Sequence, residues 1–177
     1  DGVDTIVRMA VAYGTDLGFD SSSLIVALLL VQFVAFPAAL LYYRFASKVG
    51  VKPAIMYAIG GYSLTTLLAY FMNETWHFYS LAIMIALFQG GIQALSRSLY
   101  TRIIPIDRSA EFFGFYNMFG KFAAIIGPFL MGYVTLLTDN PRFGILAILI
   151  LFVLGAFFLN KVDVQKGEEL AREYLVS

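Results

Sequence analysis

Long apolar runs alternate with short charged segments along this chain. A hydrocarbon core about 30 Å thick requires about 20 residues of α-helix, and most of the runs have that length. The runs are Leu24–Tyr43, Ala54–Met72, Phe78–Ala94, Phe112–Leu137 and the slightly shorter Phe143–Leu159. They predict an all-α, polytopic membrane helix bundle, with spans at about 1–14, 23–46, 53–72, 76–100, 111–137 and 142–159 and a polar tail at 160–177.

The first predicted span, at about 1–14, has fewer residues than a bilayer crossing requires. Residues 1–13 read DGVDTIVRMAVAY, which is the pattern of the second half of a membrane helix. We therefore expect the chain to be part of a longer polypeptide. At the other end, the tail fits either a short surface helix or a solvated segment.

Basic residues concentrate at one end of the predicted helices. Nine of them fall in three segments at that end: Arg44, Lys48, Lys52, Arg97, Arg102, Arg108, Lys161, Lys166 and Arg172. The opposite end carries Asp16, Asp20, Glu74 and Asp139, with Arg142 as its one basic residue. Because cytoplasmic loops of membrane proteins are enriched in lysine and arginine, the basic segments and the C-terminus are predicted to be cytoplasmic.

Composition agrees with a membrane protein and excludes several other classes. Charged residues make up 14% of the chain and hydrophobic residues 60%, whereas a soluble domain has about 25% charged residues. The net charge is zero, so no nucleic-acid partner is indicated, and the absence of cysteine excludes disulfides and thiolate metal sites. The single histidine, His77, follows Trp76 in a short loop, where we interpret it as an interfacial residue. No metal or cofactor is expected.

Three polar side chains share one face of the fourth predicted span. Gln89, Gln93 and Arg97 are spaced i, i+4 and i+8, which places them on one side of a helix. Polar groups within a bilayer are costly and often mark a solute pathway. The two amides fit hydrogen bonds either to a polar ligand or to a neighbouring helix, and Arg97 fits either a gating role or snorkelling toward the cytoplasmic interface.

The fifth span carries Asn117 and Lys121, again at i and i+4. Lys121 lies about ten residues into that helix from Glu111, or roughly 15 Å deep at a rise of 1.5 Å per residue. A lysine at this depth requires a water-filled cavity, a carboxylate partner or a snorkelling path.

The first segment carries Asp1, Asp4 and Arg8. If an upstream half-helix precedes it, Asp1 lies near the middle of the membrane, and Asp4 and Arg8 are spaced to pair. A carboxylate buried in the membrane is suited to carry a coupling proton, because burial raises its pKa. The alternative is that all three are solvated charges.

Small residues suggest packing faces on the fifth span. Gly120 with Ala124, and Ala123 with Gly127, form pairs that allow close helix approach. Gly127 is followed by Pro128, which should bend the helix.

Several of these segments resemble the major facilitator superfamily. The stretches GGIQALSRSLYTRIIP at 90–105 and EFFGFYNMFGKFAAIIGP at 111–128, with DGV at 1–3, are similar to its vacuolar amino-acid effluxer branch, the autophagy-related permeases and their bacterial relatives. The resemblance implies a secondary active or facilitative transporter of small solutes, with amino acids as the substrate class and protons as a possible coupling ion. It further implies alternating access, a C-terminal six-helix half, a missing N-terminal half and a bacterial cytoplasmic membrane.

The same resemblance implies roles for individual residues. It places Asp1, Gln89, Gln93, Asn117 and Lys121 toward a central cavity. It also likens Tyr43–Lys52 to the basic loop of the superfamily, with Lys48 and Gly50 as gating or turn residues. Here Ser47 replaces the usual Asp and Tyr43 the leading Gly, so the charge relay of that loop is in question while its basic, turn-forming role stands.

Other functions compete with this hypothesis. A transporter of sugars, organic anions or drugs would carry the same helices, and a non-transporting scaffold would pair Lys121 and the glutamines internally. The chain has no paired carboxylates within a full span and no HExxH motif, so an enzyme is rejected. A channel stays possible, although no charged ring or filter-like glycine run is visible.

Overall fold

The structure, a computed structural model, describes residues 2–173, without the side chains of residues 2–4, 7, 8 and 123. The helices are α1 (Gly2–Asp16), α2 (Ser21–Val49), α3 (Val51–Tyr70), α4 (Thr75–Ile103), α5 (Ser109–Thr138), α6 (Pro141–Lys161) and α7 (Val164–Glu173), with a 3-10 turn at Ile106–Arg108. The expected all-α helix bundle is confirmed. The described part of the tail forms the surface helix α7, one of the two alternatives left open by the sequence.

The helix ends follow from local sequence chemistry. Asp20 caps α2, because its carboxylate accepts hydrogen bonds from the backbone N–H and the side chain of Ser22. These bonds, the side-chain one above all, lower the pKa of Asp20. Gly50 joins α2 to α3 at φ +96°, a left-handed conformation that favours glycine. Pro141 opens α6 after Asn140, whose side chain accepts the N–H of Arg142.

Five of the helices pack in an order that differs from their order in the chain. α2 packs on α4, α4 on α3, α3 on α6, and α6 on α5. α1 lies mainly against α6 and α5, with smaller contacts to α2 and α4. α4 and α5 are therefore neighbours in sequence but do not pack along their length.

Small and aromatic residues build the core between α2, α3, α4 and α6. Ala54, Ala58 and Ala86 are fully buried, which lets the helix backbones approach closely, as membrane helices commonly do. The buried ring of Tyr62 stacks on Phe152 with 5.7 Å between ring centroids and so joins α3 to α6.

The outside of the bundle is strongly apolar. Phe33, Phe122 and Leu136 are exposed by 78%, 63% and 80%, and a water-soluble protein rarely exposes so much apolar surface. Four helices among residues 2–173 are long and apolar enough to cross a membrane: Ser21–Val49, Thr75–Ile103, Ile106–Thr138 and Pro141–Lys161. α3 has 20 residues but carries Ser63, Thr65 and Thr66, and its hydroxyls bond to carbonyls four residues earlier in the helix.

Polar contacts identify the two ends of the bundle. At the basic end, Lys52 Nζ donates to the carbonyl of Asn160 at 3.0 Å and to that of Val162 at 2.7 Å. At the other end, Tyr13 donates to the carbonyl of Ala69 at 2.8 Å. The contacts of Lys52 place the start of α3 beside the end of α6. This is expected when successive helices run in opposite directions.

Arg142, the one basic residue at the acidic end, forms hydrogen bonds between two helices. Its Nη1 donates to the carbonyl of Tyr70 at 2.5 Å and its Nη2 to Asn73 Oδ1 at 2.6 Å. The guanidinium therefore satisfies an end carbonyl of α3 and ties α3 to α6.

Replacing Arg142 with methionine should destabilise the bundle. The change keeps an unbranched stem but leaves the carbonyl of Tyr70 without this donor, and a hydrogen bond to a charged group contributes about 1.5–3 kcal/mol. SDS titration of the folded protein in mixed micelles would measure the loss. The matched control is Arg108→Met, since Arg108 is exposed and its side chain makes no hydrogen bond within residues 2–173. Equal stabilities of the two variants would contradict the role of Arg142.

Candidate functional site

The face of α4 that carries Gln89, Gln93 and Arg97 becomes more exposed toward the basic end of the bundle. Gln89 is half-buried, whereas Gln93 and Arg97 are exposed. Gln89 Oε1 is fully buried and accepts no hydrogen bond from the described part of the chain. A buried acceptor without a donor is costly, so Gln89 stands out among the described polar residues of α4.

Two glycines next to Gln89 hold α4 tightly against α2. A Cβ at Gly90 would lie 2.8 Å from Ala39 Cβ and 3.3 Å from the carbonyl oxygen of Ala35, and one at Gly91 would overlap the ring of Tyr42. Tyr42 in turn donates to the carbonyl of Ala54 at 2.6 Å. The glycines therefore fix the position of α4 on which the amides are carried.

The polar residues of α5 lie on an open part of that helix. Asn117 and Lys121 are both exposed, and Lys121 makes no hydrogen bond or ion pair within the part of the chain that the structure describes. Their neighbours Phe115, Phe119 and Phe122 are exposed by 57%, 56% and 63%. This portion of α5 thus presents polar and apolar side chains to surroundings outside the described bundle.

An aromatic cluster joins α4 to α5 near the basic end. The ring of Tyr100 lies 5.5 Å from that of Phe113 and 4.8 Å from that of Tyr116, and its hydroxyl donates to the carbonyl of Phe112 at 3.0 Å. The structure does not bring the amides of α4 into hydrogen bonds with Asn117 or Lys121 among the described residues. Sequence reasoning did not find this cluster, although the aromatic residues at 100, 113 and 116 were visible.

The acidic candidates at the start of the chain are not described in full. Asp1 lies outside the described residues. Asp4 and Arg8 belong to α1, but their side chains are outside the described part as well. Their expected pairing and the role of Asp1 therefore stay predictions.

Gly127 lies at the contact of α5 with α1. A Cβ at this position would lie 2.7 Å from Thr5 Cβ and 2.9 Å from Thr5 Cγ2, and would overlap Thr5 Oγ1. α5 continues through the next residue, Pro128, as one helix from Ser109 to Thr138. At Gly120 a Cβ would meet no atom of the described residues within 4 Å, so the packing face expected there stays a prediction.

A small apolar cavity lies inside the bundle, away from these residues. Its volume is about 70 Å³, and its walls come from α1, α2, α3, α4 and α6. Polar lining is limited to a few side chains, among them Thr65, Thr66 and Gln32. Gln32 was missed by sequence reasoning, although a lone amide inside the longest apolar stretch of α2 is a visible signal.

Comparison with known proteins identifies the family. The sequence profile described as Vacuole effluxer Atg22 like matches residues 1–172. The chain belongs to this family. It is 40% identical over 173 residues to the uncharacterized MFS-type transporter YxiO of Bacillus subtilis, covering 98% of this chain and 40% of that relative.

Fungal proteins are also similar to this Atg22-like chain. Autophagy-related protein 22 of Saccharomyces cerevisiae (strain YJM789) is 33% identical over 105 residues, which cover 59% of this chain and 20% of the relative. That of Cryptococcus neoformans is 27% identical over 191 residues, which cover 98% of this chain and 35% of the relative. No solved structure matches the chain.

The comparisons confirm the resemblance to the major facilitator superfamily and to its Atg22-like branch with bacterial relatives. They also agree with the rejection of an enzyme, since the relatives are named as a transporter and as autophagy-related proteins. Together with the apolar helices, they establish an integral membrane protein. The Atg22-like chain spans about two fifths of the length of its Bacillus relative.

The two residues proposed for the basic loop lie where the α2 helix ends. Lys48 is exposed in the last turn of α2, and the N–H of Gly50 donates to the carbonyl of Ala46 at 2.9 Å. Lys52, two residues on and already in α3, donates hydrogen bonds to the carbonyls of Asn160 and Val162. In this Atg22-like chain the loop is therefore tied to the end of α6.

Proposed function

We propose that this chain is one half of a secondary transporter that moves small solutes, with amino acids as the substrate class, by alternating access. The family description names an effluxer and the Bacillus relative is named an MFS-type transporter, which supports transport for the whole protein. Transporters of this kind bind solute near the bilayer midplane between two repeats and rock one repeat against the other.

The observation that carries the proposal is the open position of Lys121 and Asn117 on an otherwise apolar helix. Lys121 is the thirteenth residue of the 30-residue helix α5, so it lies well away from both ends. A charged side chain at such a depth faces a water-filled cavity or a partner rather than lipid. The described bundle supplies no partner, and this favours a cavity over the internal pairing that a static scaffold requires.

The surface around Lys121 supports a second half. α5 carries exposed residues on almost every side from Glu111 to Ile126, and one helix cannot face lipid on its polar side without cost. The chain covers 40% of the Bacillus relative, which leaves enough length for another set of helices. We therefore assign the polar side of α5 to a cavity shared with an N-terminal half.

Within this cavity the candidate residues take separate roles. Lys121 would attract a substrate carboxylate, and Gln89, Gln93 and Asn117 would hydrogen-bond the solute. Asp1, with Asp4 and Arg8 nearby in sequence, would bind or carry a coupling proton. Arg97, Lys48 and Gly50 would act at the basic end, which we propose is cytoplasmic, in a bacterial cytoplasmic membrane.

The test is uptake by the natively expressed polypeptide after reconstitution into proteoliposomes. We expect an intact mass at least twice that of these 177 residues, since they cover 40% of the Bacillus relative. We further expect uptake of radiolabelled neutral amino acids that excess unlabelled amino acid suppresses and excess sugar does not. Uptake no faster than in protein-free liposomes would contradict transport, and competition by sugars alone would contradict the substrate class.

A further inference from the structure

A basic cavity opens at the end of the bundle that carries most of the lysines and arginines. It has a volume of about 480 Å³ and lies between the start of α3, the end of α4 and the segment that links α6 to α7. The charged residues in its lining are Lys52, Arg102, Lys161 and Asp163. Three cations thus face one carboxylate.

The carboxylate is already used inside the protein. Asp163 Oδ1 accepts the backbone N–H of Lys166 at 3.1 Å and so caps α7. Lys52 donates to the carbonyls at the end of α6, which leaves one of its three N–H groups available. Arg102 is exposed and has no hydrogen bond or ion pair within residues 2–173. The cavity therefore has positive charge that these residues do not neutralise.

The surroundings of the cavity indicate whether a soluble anion or a lipid fits it better. Lys161 is the last residue of α6, a helix apolar and long enough to cross a membrane. Its Nζ lies 4.4 Å from the centroid of the Phe157 ring, and Phe157 is 52% exposed. An apolar exposed surface thus begins directly beside the cations and continues toward the bilayer. A soluble anion would contact the cations alone, whereas an anionic lipid would contact both the cations and the apolar surface.

We propose that this cavity binds the phosphate headgroup of an anionic phospholipid, with Arg102 and Lys161 as its main ligands and an acyl chain lying against Phe157. Basic pockets between membrane helices are suited to anionic headgroups. Arginine matches the geometry of a phosphate with two parallel hydrogen bonds, and lysine provides a point charge. Because the pocket also contacts the α6–α7 linker, a bound lipid would hold α7 against the bundle.

Native mass spectrometry of the full polypeptide in detergent would test this proposal with added phosphatidylglycerol. We expect Arg102→Gln and Lys161→Gln each to weaken binding about fivefold. Asp163→Asn keeps a good helix cap and removes the one negative charge, so it should strengthen binding by a similar factor. The opposite signs separate an effect on the cavity from partial unfolding, which would weaken binding in all three variants.

The matched control is Arg44→Gln. Arg44 is exposed near the same end of the bundle and does not line the cavity, so its replacement should leave phosphatidylglycerol binding unchanged. Equal losses in Arg44→Gln and Lys161→Gln would overturn the site in favour of general surface attraction. Binding of phosphatidylcholine as tight as that of phosphatidylglycerol would overturn the anionic headgroup. Full displacement of the lipid by equimolar glycerol 3-phosphate would overturn the lipid in favour of a soluble phosphate.

Discussion

Replacing Gly127 with alanine should cost the folded protein about 1–3 kcal/mol, the usual effect of added volume in a packed contact. A Cβ at Gly127 would overlap Thr5 Oγ1 and lie 2.7 Å from Thr5 Cβ. Thr5 is 1% exposed, so its side chain has little room to move away. The added methyl group would force α1 and α5 apart, or force Thr5 into another rotamer.

Under the proposed function, Gly127→Ala should also slow transport. α5 contacts the rest of the described bundle mainly through α6 and α1, and Lys121 lies six residues before Gly127 on the same helix. A shift of α5 would therefore move Lys121 relative to the amides of α4. We expect the transport rate of Gly127→Ala to fall together with its stability in an SDS titration.

Gly132→Ala is the matched control for this prediction. Gly132 lies on the same helix, and a Cβ there would meet no atom within 4 Å. Since alanine is favoured over glycine inside a helix by about 0.5–1 kcal/mol, this variant should be as stable as the parent or slightly more stable. If Gly127→Ala were as stable as Gly132→Ala, the close contact of α1 with α5 would be wrong.

Sequence reasoning could predict the helices because each helix is specified locally. The apolar runs, the caps at Asp20 and Asn140, and the breaks at Gly50 and Pro105 depend on residues within a few positions of one another. For this reason the predicted spans and the observed helices agree within three residues at each described end.

The packing of the helices could not be predicted in the same way. A small-residue spacing shows which residues share a face, but it does not show what that face meets. Gly120 and Gly127 lie on one helix, yet Gly127 touches Thr5, whereas Gly120 meets no described atom within 4 Å. The difference depends on where α1 lies, and that position depends on contacts with residues more than a hundred positions away.

The polar residues show the same contrast: their position on a helix could be predicted, but their long-range contacts could not. Sequence spacing placed Gln89 and Gln93 on one face of α4, because i and i+4 positions are determined by the helix itself. It assigned no contact to Arg142 and Lys52, since their partners at Tyr70, Asn160 and Val162 are 72 to 110 residues away. Charge counting assigned both residues only to a side of the membrane, whereas each also links two helices.

Replacing Lys121 with methionine should abolish amino-acid uptake and leave the fold intact. Methionine has a similar length and no charge. Lys121 has no hydrogen bond or ion pair in the described bundle, so its loss breaks no internal contact there. If its ammonium group binds the substrate carboxylate in the cavity, removing one member of that charge pair should reduce uptake about 100-fold or more. Initial rates in proteoliposomes, with stability measured in parallel, would show this.

The charge itself can be separated from the shape of the side chain. Lys121→Arg should keep part of the activity, because it restores a cation at the cost of a different geometry. The wild type should prefer an amino acid to its carboxamide analogue, since only the former presents a carboxylate. Lys121→Met should lose that preference along with most of its rate.

Lys166→Met is the control for a general loss of positive charge. Lys166 is exposed on α7, and its side chain makes no hydrogen bond or ion pair within the described residues, so its replacement should leave uptake unchanged. Uptake at the parental rate in Lys121→Met would remove this residue from the solute pathway. Retained preference for the carboxylate despite a slower rate would instead show that Lys121 acts on the motion of α5 and that another group binds the carboxylate.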